Sequence, residues 1–463
     1  MNSAFRLLFI LLTVNGFSII ASFGQELNLS PPDSVQKPTK KNTKQRARPN
    51  APDVAPLYSP SFNDFTTRIF DPNIQTLIVH HSSSELEMPV IVLRSNEKAV
   101  VRFDDLSPIP RDFGYSFEHC TYDWRSSELQ TMDFQTGFNS DVINDYDFSF
   151  NTVVKYTHYR LEFPNDQISF TRSGNYIVKI HAPNNPDQLY IVARFMVLEP
   201  AAVIDGKVLP SRVVSDRDYR QEVNLEVNLS AIQVLSPYQD IEVVVLQNWR
   251  WDNKVSNIKP SFLKDQKLIY NYATELSFEG GNEFRFFDAK SLRYRSERVA
   301  SIVMADSMYQ LALAPDKSQA YRIYTFQNDL NGHFLIKNDD GFDQTHLESD
   351  YFNVQFNLVV DAPLGNGDLY VFGQLSLWQL NSNYRMIYDP ELKAYRLNTA
   401  LKQGYYNYQY IWRYAKQQQG SADRLEGGHS QTENEYHVFV YFKDPSAFSH
   451  RLVGYKVLSN FDK

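Results

Sequence analysis

Cysteine is nearly absent: Cys120 is the single thiol in 463 residues. One thiol excludes a framework of intramolecular disulfides, and a chain of this length can bury enough apolar surface to manage without one. Long hydrophobic runs are absent after the first two dozen residues, so no later segment reads as a membrane-spanning helix. Sustained apolar spacing of three and four is also missing, which argues against a helical architecture. A basic excess is lacking too, since the formal net charge is −8, and this speaks against a general nucleic-acid binder. Phosphate-cradling GxxxxGK and GxGxxG loops, the GxSxG elbow and HExxH pairs do not occur.

The residues that invite a catalytic or metal reading have plainer explanations. His119 and Cys120 are neighbours on an expected strand, which sends them to opposite faces and precludes a thiolate–imidazole pair. His80 and His81 fail as joint metal ligands for the same reason. The acidic segment KNDDGFDQTHLESD at 337–350 resembles a calcium loop, but with Gly341 at the sixth position the first and last ligands would be Ile336 and Leu347. It reads as a solvated acidic connector. Paired carboxylates distant in sequence remain open, although no spacing singles out a pair. The expectation is therefore no enzyme, no cofactor and no metal.

What the chain does have is aromatic residues, 14% of the total, with 29 Tyr and 32 Phe. Residues 1–24, MNSAFRLLFILLTVNGFSIIASFG, read as a signal peptide cut ahead of Gln25. Residues 25–62 read as a disordered linker whose run KPTKKNTKQRARP (37–49) is basic without an acid. Strand signals then follow at short intervals, broken by Asp, Asn, Gly and Pro turns. The expected fold is all-β, with tandem immunoglobulin-like β-sandwich domains at 63–200, 201–345 and 346–463. In NDYDFSFNTVVKYTHYRLEFPN (144–165), Tyr146, Phe148 and Phe150 alternate with polar residues, as do Tyr159, Leu161 and Phe163. Period two predicts that both sets face a core. Asn144, Asp145, His158 and Arg160 are then surface or edge positions where a partner could bind.

The last segment, with DLYVFGQLSLWQL and YDPELKAYRLNTALKQGYYNYQYIW, resembles the early-set immunoglobulin-like folds that include starch- and glycogen-binding modules. That resemblance implies sugar stacking by exposed rings, for which Trp378, Tyr405 and, less favoured by strand parity, Trp412 are the candidates. A carbohydrate-binding protein with polysaccharide as its partner is thus the alternative reading.

A second resemblance covers more of the chain. FDPNIQTLIVHH (70–81), VIVLRSNEKAVVRFDDL (90–106), YSFEHCTYDW (115–124), GFNSDVINDYDFSFNTVVKYTHYRLEFPN (137–165), SGNYIVKIH (173–181) and ARFMVLEP (193–200) together resemble the type IX secretion system plug proteins of Bacteroidetes. The Lys-rich tether at 37–49 is a departure from that pattern. The resemblance implies a periplasmic, non-enzymatic protein on the inner face of the outer membrane. Its partner would be a large outer-membrane β-barrel translocon, closed by the protein when no cargo passes.

Overall fold

The computed structural model describes residues 65–271, 274–445 and 449–461. The leader and the basic linker lie outside the described residues. The described chain is built almost entirely of strands, with only single-turn helices between them. It forms all-β sandwiches, as alternation and aromatic content predict.

The first sandwich occupies the segment up to Leu198. One layer is a four-stranded sheet ordered Ile74–His81, Ala99–Asp105, Thr157–Phe163 and Tyr146–Phe148. The facing layer contains Asn185–Leu198, Gly174–Ala182, Gly114–Cys120 and Ser140–Val142. Between them lie Phe103, Phe113, Phe117, Tyr159, Leu161, Phe163 and Phe195, all buried. Their rings meet in edge-to-face and stacked pairs, such as Phe103 on Tyr159 at 5.1 Å, geometries that favour one packing over others.

The remaining strands do not follow the serial division at 201–345 and 346–463. Val203–Pro210, Arg220–Asn228, Lys267–Tyr270 and Phe262–Lys264 make one sheet. Its facing layer pairs Ile241–Gln247 with the C-terminal hairpin Glu435–Asp444 and Ser449–Ser459. Val223, Leu225, Val243, Tyr436, Val438 and Val453 fill the core between the two layers. The third sandwich, from Arg285 to Glu426, is thus inserted between the strands of the second, with Phe287, Phe356, Tyr408 and Trp412 in its core. The middle segment supplies too few strands for two layers, and the C-terminal hairpin completes it.

Two segments whose alternation predicts strands do not form them: SLRYRS (291–296) is irregular, and YRIYTF (321–326) runs without a β partner, leaving Tyr321 and Ile323 101% and 92% exposed.

The first and second sandwiches share a sheet. Leu198 pairs in parallel with Leu452, joining the two facing layers into one nine-stranded sheet. Beside that joint Trp124, Val244, Trp249, Phe439 and Tyr441 bury a further apolar cluster. Cys120 belongs to it as a small core side chain, and burial pushes its thiol up. His119 faces the other way, edge-on to Tyr176 at 4.9 Å.

Candidate functional site

The segment 144–165 does more than supply strands to the first sandwich: it carries that domain onto the third. Its centre turns at Asn151, and the amides of Val153 and Val154 donate to the Asp350 carboxylate at 2.6 and 3.0 Å. The Tyr156 hydroxyl donates to the carbonyls of His346 and Ser349 at 2.9 and 2.8 Å. The Phe150 amide donates to Leu347 O at 3.1 Å. The acidic connector expected to be solvated is therefore part of this seam, with Glu348 and Asp350 buried. Its short helix Thr345–Glu348 holds the accepting carbonyls in place.

Below the seam lies a buried charge cluster. Asp104, on Ala99–Asp105, accepts from His158 Nδ1 at 2.7 Å, from the Tyr351 hydroxyl at 2.6 Å and from Lys402 Nζ at 2.6 Å. Lys402 also donates to His346 O at 2.6 Å and lies 4.1 Å from the Tyr156 ring centroid. Tyr351 and Lys402 come from the third sandwich, Asp104 and His158 from the first. Burial by itself would raise the Asp104 carboxyl, but the Lys402 charge and then the His158 hydrogen bond outweigh it and hold it down at about 2. Burial also lowers Lys402, against the pull of Asp104. With a carboxylate and a carbonyl accepting and a ring face alongside, the lysine is held as an ammonium. His158 stacks on His346 at 5.1 Å, and His346 Nε2 donates to Glu85 at 2.7 Å.

Of the proposed contact residues, Asn144 and Asp145 are exposed, and Arg160 is half-buried and paired with Asp145 at 3.2 Å and with Glu162. His158 is not an outward residue. Its side of the sheet is covered by the third sandwich, so the position that alternation places opposite the core is buried in an interdomain seam. Tyr159, Leu161 and Phe163 are core as expected. Tyr146, Phe148 and Phe150 are not: they are 43%, 58% and 39% exposed, because Tyr146–Phe148 is the last strand of its sheet and Phe150 lies just past its end.

The rings considered for sugar stacking do not converge. Trp412 is buried in the core of the third sandwich, Tyr405 stacks on Phe286 at 5.5 Å, and Trp378 is half-buried edge-on to Phe284 and Phe372. Trp378 does border a cleft of about 400 Å³ with Trp249, Trp251, Met196 and Arg194 where the sandwiches meet. A second buried ion cluster joins Arg285 to Asp316 and Glu426 at 3.0 Å each, with Tyr408 and Tyr410 donating to Asp316 at 2.7 Å. Charges in both clusters are matched by protein groups, an arrangement suited to fixing geometry. Among the described residues no group of His, Cys, Asp and Glu is arranged to hold a metal, and no helix is long and apolar enough to cross a membrane.

Sequence reasoning missed Asp104, Lys402, Tyr351 and Asp350. The one available signal was Asp104 in VVRFDDL, a carboxylate placed inside a strand ahead of the Asp105 that serves the following turn.

The family model described as type 9 secretion system plug protein 1st domain matches residues 74–199, the first sandwich with its seam segment. A crystal structure at 2.30 Å of a hypothetical protein from Parabacteroides merdae ATCC 43184 is 31% identical, with a TM-score of 0.83, covering 86% of this chain and 100% of that one. The chain belongs to the type 9 secretion system plug protein family. Plug-family membership gives it a role related to type IX secretion and associates it with the secretion machinery of the cell envelope. Membership and the all-β fold suggest a non-enzymatic plug-family protein. No curated protein matches the chain.

Proposed function

We propose that the protein closes the periplasmic opening of the outer-membrane β-barrel translocon of the type IX secretion system when no cargo is passing, and does so without catalysis. The match of the first sandwich to the plug family carries this reading. The architecture supports it physically. A closure over a wide pore needs a broad surface that does not deform, and here three sandwiches are joined by a shared sheet, an apolar cluster and a buried ion pair. Such a body can bury a large area at low ordering cost, because few of its backbone segments need to rearrange. Release when cargo arrives calls for an interface of moderate size and polarity rather than an obligate one. In this reading residues 1–24 direct export, and the mature chain works in the periplasm at the inner face of the outer membrane.

A tagged full-length chain tests the reading by co-purification. In cells whose translocon carries no cargo it recovers the large outer-membrane barrel protein, and cargo-loaded translocons are recovered without it. Recovery of soluble periplasmic proteins alone overturns the reading.

A further inference from the structure

The four-stranded sheet of the first sandwich ends at Tyr146–Phe148, and the outer edge of that strand is bare. Asp145 O accepts from the Arg160 amide and the Ser149 amide donates to Tyr156 O, both at 2.9 Å. Residues 145, 147 and 149 thus direct their backbone groups to the neighbouring segment from Tyr156 to Arg160, and alternation turns those of Tyr146 and Phe148 outward. No second strand pairs with them among the described residues. One position further on, the outward amide of Phe150 is already taken by Leu347 O.

The side chains repeat the pattern. Tyr146, Phe148 and Phe150 form an aromatic rim, and the opposite layer ends nearby at Ser140–Val142, where Phe138 and Val142 are also exposed. Edges of this kind are normally protected by lysine, proline or a bulge. From Ser126 to Val154 there is no Lys, Arg or Pro, while Glu128, Asp133, Asp141, Asp145 and Asp147 are all acidic. Within this run Asp145 is paired, with Arg160.

We propose that the outer edge of Tyr146–Phe148 receives an extended segment of the translocon partner, which adds a strand to the sheet, covers the aromatic rim with apolar side chains and places Lys or Arg beside Asp141 and Asp147. The proposal rests on the plug reading and names the surface through which it operates. Charge decides among occupants. A second copy of this chain would bring the same acidic rim against itself, where like charges repel. The chain's own basic run at 37–49 has the right sign but no aromatic or branched aliphatic residue to cover the rings. A basic, alternately apolar strand from the partner meets both demands, by the strand-addition mode in which backbone pairing gives affinity and side-chain contacts give register.

The test uses the full-length tagged chain and recovery of the barrel protein. Phe148→Pro removes an outward amide and a rim ring while sparing the ladder to Thr157–Phe163, and Asp147→Lys reverses the charge. Each lowers recovery about tenfold or more with an unchanged melting temperature, while Leu235→Lys, at an exposed position of the second sandwich, leaves recovery as in the wild type. A benzophenone side chain in place of Phe148, with native folding verified by melting, forms an adduct with the barrel on illumination. If wild type recovers the barrel but both variants do so equally well and no barrel adduct forms, the edge proposal is overturned and the plug reading stands. An adduct between two copies of the chain overturns it in favour of self-association. If wild type recovers no barrel, the plug reading fails and the edge proposal with it.

Discussion

Lys402→Met probes the interdomain cluster directly. The substitution keeps most of the side-chain volume but leaves the Asp104 carboxylate, fully buried, with only His158 and Tyr351 as partners. Removing one member of a buried ion pair costs about 3–5 kcal/mol, chiefly because the remaining charge stays desolvated. The cost falls on the seam between the first and third sandwiches, where the amides of Val153 and Val154 donate to Asp350. Native-state hydrogen exchange at those two amides accelerates by about a hundredfold or more if the seam opens as a unit. The double variant Asp104→Asn, Lys402→Met removes both charges and keeps an acceptor for the neighbouring donors, so it exchanges more slowly than Lys402→Met alone. Asp104 titration gives an independent sign. Its folded value of about 2 lies below the ordinary 3.8, so its ionisation contributes about 2–3 kcal/mol that is full above pH 3.8 and lost as the pH falls toward 2. Unchanged exchange in Lys402→Met, or additive effects in the double variant, would refute the claim that this pair couples the two domains.

Three other outcomes follow from the core. Burial lowers His119 and His333 to about 4 and His437 to about 3. The unfolded chain therefore takes up protons first as pH drops below about 6.5, and the melting temperature declines from there toward pH 4; a flat profile across that range contradicts the assignment. Tyr159→Asp places a charge among Phe103 and Phe113 and removes the hydroxyl that donates to Arg111 O at 2.6 Å, at a cost of roughly several kcal/mol. Loss of soluble folded protein, seen by protease sensitivity, checks it. Trp378→Ala and Tyr405→Ala leave electrophoretic mobility in gels containing soluble glucan the same as wild type; retardation of wild type that either change abolishes would restore the carbohydrate-binding reading.

The alternation in YRLEF correctly places Tyr159, Leu161 and Phe163 in the core, yet the same alternation in YDFSF describes an exposed edge. Period two identifies a shared face, but it carries no information on whether the opposing layer extends far enough to cover that face. That depends on Ser140–Val142 ending the other sheet. His158 fails for the complementary reason: the face opposite the core is buried by residues 346, 351 and 402, remote in sequence. Lys402 alternates with Tyr395, Leu397 and Leu401 on the polar side of its strand and reads as solvated until the seam is seen. YRIYTF has the composition of a strand and no sheet to join. Most strands, the core face of YRLEF and the family-bearing segment are legible locally, whereas the extent of the opposing layer, the insertion of one sandwich within another and the charge cluster depend on partners that local patterns do not specify.

The most direct test of the central claim compares outer-membrane permeability and cargo secretion in a strain lacking the gene. An enzyme's deletion removes a product, but a plug's deletion leaves an aqueous path through each empty barrel. Large antibiotics or dyes normally excluded should enter the deletion strain while secretion falls modestly if at all, and the complemented strain should regain the barrier. An unchanged barrier with abolished secretion would make the protein a driver of transport and contradict its role as a plug.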